Sequence, residues 1–139
     1  MSEPPGLRLF LDRSTQGRRF VAAVRELVAD VETIDDRYGR DEAQHVPDVR
    51  WIADATADGR ILVGADRYLL RNPLERRAVC RARARYLVFG TNNVRIDGMV
   101  ELFARYLARI RDLPAEPGPW VYRISRHDLA RLPLRCDDA

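Results

Sequence analysis

The sequence predicts an α/β domain with a mostly parallel sheet and helices on both of its faces. Two observations lead there. Short apolar runs alternate with stretches whose apolar residues recur at helical spacing, the pattern of βαβ units. Two of those runs also end on an aspartate, where open α/β sheets place their ligands. The chain has 139 residues, with 46% hydrophobic and 32% charged, which reads as one soluble globular domain.

Residues 1–6, rich in proline and glycine, read as a flexible leader, and residues 7–135 as a single domain. Residues 7–11 are a buried first strand that delivers Asp12. Ser14 or Thr15 can cap the following helix, whose Phe20, Val21, Val24, Leu27 and Val28 share a face. Residues 31–34 are a second strand, and the polar residues 35–47 are expected to be a loop. Asp48 opens a helix carrying Val49, Ile52 and Ala55, which stops near Gly59.

Residues 61–63 form a third strand and lead to Asp66. Asn72-Pro73-Leu74-Glu75 is a helix start with Asn at N-cap and Pro at N1. That helix is expected to run to about Arg83, followed by a strand over 86–89 and the polar Gly90-Thr91-Asn92-Asn93. Met99, Leu102, Phe103, Tyr106, Leu107 and Ile110 predict one helix whose stripe is wide enough to raise the expectation of a homodimer. Residues 120–124 are the last expected strand, before a polar tail.

Several chemistries are excluded. All 24 basic residues are arginine, so no mechanism can use a lysine ammonium. Receiver-domain phosphotransfer and aspartate-nucleophile phosphatase chemistry both need that lysine, and the second also needs an Asp-x-Asp that Asp12-Arg13-Ser14 lacks. Cys80 and Cys136 read as a helix thiol and a tail thiol, and with His45 and His127 they have no zinc-site spacing. The leading residues lack a signal-peptide pattern and no apolar stretch approaches the roughly 20 residues of a membrane span, so a cytoplasmic location is expected.

Asp12 and Asp66 follow strands one and three and can meet in one crevice, where paired carboxylates bind a divalent cation. Asp48, at a helix start, is either a third acid or a cap. Arg13, Arg67 and Arg71 flank the acids and suit phosphate contacts. Trp51 and Tyr68 are candidates for base stacking, or core aromatics.

The stretches 10–13, 47–52, 59–67 and 70–76 together resemble PIN-like nuclease domains, in particular the compact bacterial VapC-type toxins. The resemblance implies a PIN-like three-layer α/β/α sandwich and an endoribonuclease dependent on Mg²⁺ or Mn²⁺, hydrolysing RNA phosphodiesters with a metal-activated water. It implies Asp12 and Asp66 as metal ligands with Asp48 as the third acid, a type II toxin–antitoxin system, and a cognate antitoxin protein as partner. The chain departs from the pattern at Ser14, where relatives often carry Asn, and at Gly64, where they carry Thr or Ser. No fourth acid is evident beyond Asp97. These departures motivate the alternative, a catalytically silent PIN-like module that binds RNA or protein.

Overall fold

The computed structural model describes residues 6–65, 71–90 and 95–136. The described strands form one six-stranded sheet of order β2-β1-β3-β4-β5-β6. They are β1 (Arg8–Leu11), β2 (Asp30–Thr33), β3 (Ile61–Gly64), β4 (Arg85–Phe89), β5 (Trp120–Ile124) and β6 (Leu129–Leu132). All neighbours pair in parallel except β5 and β6. β1 lies between β2 and β3, so the chain leaves it in one direction and then crosses to its other side. That reversal opens a crevice at the carboxyl ends of β1 and β3.

The helices are α1 (Arg18–Leu27), α2 (Ile34–Tyr38), α3 (Arg40–Ala43), α4 (Asp48–Ala57), α5 (Pro73–Ala82), α6 (Ile96–Arg105) and α7 (Leu107–Asp112). Strand alternation sorts the core into two layers. Leu9, Leu11, Ile61 and Val63 face α1, α6 and α7 through Phe20, Val24, Phe103 and Ile110. Phe10, Leu62, Tyr86 and Val88 face α2–α5 through Ile34, Trp51, Ile52 and Val79. Asp12 lies two residues beyond Phe10, so it continues the second of these faces. Among the described residues, no helix is long and apolar enough to cross a membrane.

Several expectations from the sequence are corrected. Residues 35–47 hold two short helices, because Thr33 and Asp36 form a reciprocal capping box that starts α2. The stripe over 99–110 is split at Tyr106, whose backbone leaves the helical region between α6 and α7. Its residues pack on the chain's own core, so the stripe gives no argument for a dimer. The tail adds β6, and Cys80 is joined to Cys136 by a disulfide. Ser14 and Thr15 do not cap α1, whose N-cap is Gly17; they turn inward to the site. The Asn72 cap is present, with its side chain accepting from the Leu74 N–H, and Gly59 adopts φ +76 just after α4.

Candidate metal and nucleic-acid site

Asp12 sits where β1 ends, with only 7% of its surface exposed. Its N–H donates to the Val63 carbonyl at 3.1 Å, which fixes it beside the end of β3. Both carboxylate oxygens are held. Oδ1 accepts from the Ser14 N–H at 2.9 Å and the Ser14 hydroxyl at 2.5 Å. Oδ2 accepts from the Tyr86 hydroxyl at 2.8 Å. The Thr15 hydroxyl lies 3.3 Å from Oδ1 but donates over a shorter distance, 2.8 Å, to the Val63 carbonyl. Ser14 Oγ in turn accepts from the Ala65 N–H at 2.9 Å, lacing the turn after β1 to the end of β3.

Burial pushes the Asp12 carboxyl above its ordinary value, and the hydrogen bonds from Ser14, Tyr86 and Thr15 oppose that shift. Among the described residues no arginine forms an ion pair with it. Among the described residues its hydrogen-bond donors are all neutral, and a buried carboxylate in such surroundings could hold a hard divalent cation.

Asp48 is the first residue of α4 and does not cap it; the N-cap is Pro47. Its Oδ1 accepts from the Trp51 indole N–H at 2.8 Å, one helical turn on, and lies 3.5 Å from Arg13 Nη1. Trp51 is 2% exposed, stacked on Phe10 and edge-on to Tyr86. It is therefore a core aromatic and not a platform for bases. Two touching aromatics thus aim their polar ends at the two acids, Trp51 at Asp48 and Tyr86 at Asp12.

Arg13 is exposed, yet its guanidinium is engaged by the chain's own groups. Its guanidinium donates to the carbonyls of Ala43 at 2.9 Å and Val46 at 2.5 Å and faces Asp48, so it clamps the segment before α4. Arg71 is exposed at the start of the segment leading into α5. Asp97 is exposed and paired with Arg19 on the surface. Asp66, Arg67, Tyr68, Asn92 and Asn93 lie outside the described residues; β3 ends at Gly64, two positions before Asp66. Among the described residues alone, no three His, Cys, Asp or Glu side chains form a metal-binding group.

Sequence reasoning missed Tyr86, which reaches Asp12 only through strand pairing, and read Thr15 as a helix cap although the turn three residues on from Asp12 brings its hydroxyl to the carboxylate. Gly64 carried a usable signal, since an isolated glycine in a strand marks a close approach. A Cβ at Gly64 would lie 2.5 Å from Asp12 Oδ2 and 2.6 Å from the Tyr86 hydroxyl.

Comparison with known proteins agrees with this architecture. The chain is 27% identical over 124 residues to the Mycobacterium tuberculosis protein named "Putative ribonuclease VapC45", covering 89% of this chain and 90% of that one. No solved structure matches it. Residues 7–91, more than half of the chain and the part that carries β1 to β4, match the family described as "PIN like domain". The chain belongs to the PIN-like domain family.

Proposed function

We propose that this protein is a metal-dependent endoribonuclease, the toxin component of a type II toxin–antitoxin system. The observation that carries the proposal is Asp12. It is a buried carboxylate at the switch point of the sheet, fixed by neutral donors and paired with no arginine among the described residues. The likeness to a relative named as a ribonuclease supports the same reading.

In this reading Asp12 and Asp66 hold a Mg²⁺ or Mn²⁺ ion, and Asp48 holds it directly or through water. A divalent cation there supplies charge stabilisation at the phosphate and lowers the pKa of water. The chain's own residues do the positioning. Ser14 and Tyr86 fix the two oxygens of Asp12, Trp51 fixes Asp48, and Arg67 and Arg71 hold phosphates of the strand. Arg13 contributes by anchoring residues 43–48. The partner is a cognate antitoxin protein, and action on cellular RNA requires a cytoplasmic location.

Incubation of a mixed RNA pool with purified protein in Mn²⁺, in EDTA, and with Asp12→Asn and Asp66→Asn tests the proposal. Cleavage that needs Mn²⁺ and is lost in both variants is the expected result. Cleavage that persists in either variant refutes the assignment of that acid. RNA binding with no turnover in Mn²⁺ would favour the silent module instead.

A further inference from the structure

Tyr86 is fully buried in β4, with its ring edge-on to Trp51. Packing alone would be served by phenylalanine; a buried phenol is expected to find a polar partner. Here that partner is Asp12, the most buried carboxylate among the described residues, at 2.8 Å. The hydroxyl reaches it through space left by the bare Cα of Gly64. Any side chain at position 64 would enter that space, since a Cβ would come within 2.6 Å of the phenol oxygen. Gly64 and Tyr86 are therefore one device spread over two neighbouring strands: one strand gives up a side chain and the other fills the gap with a hydroxyl.

We propose that Tyr86 is a positioning residue for the cation site, holding Asp12 Oδ2 so that its remaining lone pair is presented to the ion. The inference rests on Asp12 being a cation ligand. Each carboxylate oxygen has two acceptor directions. Tyr86 occupies one on Oδ2, and Ser14 secures Oδ1 from the other side. Rotation of the carboxylate is thereby arrested before any ion arrives. Removing the phenol oxygen leaves the carboxylate held at Oδ1 alone, so Oδ2 gains play about the Cβ–Cγ bond, and that play must then be lost at each binding event.

The test uses the full chain and Mn²⁺ alone as probe. Mn²⁺ affinity is measured by electron paramagnetic resonance for the wild type, Tyr86→Phe, Gly64→Ala and Asp12→Asn, with thermal melts by circular dichroism. Tyr86→Phe is expected to raise the Mn²⁺ Kd by about 10-fold or more while the protein remains folded. Gly64→Ala, which displaces the same hydroxyl without deleting it, is expected to raise it in the same direction. The Mn²⁺ concentration for half-maximal RNA cleavage should move with the Kd.

A merely structural role would lower the melting temperature and leave the Mn²⁺ affinity of the folded protein unchanged. If Asp12→Asn abolishes Mn²⁺ binding but Tyr86→Phe binds within about twofold of wild type, the positioning role is overturned and the cation site stands. If Asp12→Asn binds Mn²⁺ as well as wild type, the cation reading itself fails and the inference falls with it.

Discussion

Gly64→Ala is the most incisive single change the structure offers. The new Cβ would stand 2.5 Å from Asp12 Oδ2, 2.6 Å from the Tyr86 hydroxyl and 3.0 Å from Tyr86 Cε1. Such contacts are ordinarily at least about 3.3 Å apart, so something must move by about 0.7 Å. Neither neighbour is free to do so. Tyr86 is wedged against Trp51 in a fully buried position, and Asp12 is tied to Ser14. Overpacking of this kind costs about 1–3 kcal/mol. The strained bond to a buried carboxylate adds about 1.5 kcal/mol, and the lower unfolded-state entropy of alanine returns about 0.5–1 kcal/mol. The net is about 1.5–4 kcal/mol, or a fall of about 5–15 °C in Tm for a chain of this size. The assay is a thermal and urea denaturation series including Gly6→Ala, where a Cβ meets nothing within 4 Å. Gly64→Ala combined with Tyr86→Phe should cost less than the two single changes together, because both act on one hydroxyl. A Tm for Gly64→Ala within about 2 °C of wild type would refute the argument.

Three further outcomes are expected. Asp30 is held below its ordinary value by Arg60 and Arg8, and Asp58 by Arg60 and Arg37. Both therefore stabilise the fold fully above the unfolded carboxylate range near pH ~4, and that stability is lost as pH falls through their lowered values. Urea denaturation across this window should show stability falling towards acid, with a shallower fall in Asp58→Asn; an unchanged slope would contradict the assignment. Arg13→Gln should lower stability by about 1–2 kcal/mol by freeing the Ala43 and Val46 carbonyls, while RNA affinity measured in EDTA stays within about twofold of wild type; a large loss of affinity would instead make it a phosphate contact. The Cys80–Cys136 bond spans 56 positions, so Cys136→Ser should destabilise the oxidised protein by about 3–4 kcal/mol. Dithiothreitol should lower the Tm of the wild type and leave that of the variant unchanged.

The parallel strands and the placement of Asp12 were legible because they depend on local signals. Apolar runs bounded by polar residues mark buried strands, and the residue after such a run must emerge at the sheet's end. The Asn72-Pro73 start was legible for the same reason, since a cap is a contact across two or three residues. Trp51 beside Asp48 was within reach too, lying three residues along a helix. Tyr86 was not: it stands 74 positions from Asp12, and only the order of strands brings them together. β6 escaped because a short edge strand carries a weak period, with Leu129 buried and its neighbours half-exposed. The clamp at Arg13 escaped because an arginine beside an acid looks the same whether it faces solvent or two main-chain carbonyls.

The pairing of β3 with β4 sets Leu62 opposite Tyr86 and Gly64 opposite Val88. Because strand side chains alternate between faces, shifting β4 by one position would send the phenol into the α1 layer and turn Arg85 or Leu87 towards Asp12. A misaligned sheet could then preserve most of its main-chain bonding and still lose the crevice. If Asp12 holds a cation as proposed, Mn²⁺ affinity would serve as a proofreading signal, reporting strand alignment that overall β content does not resolve.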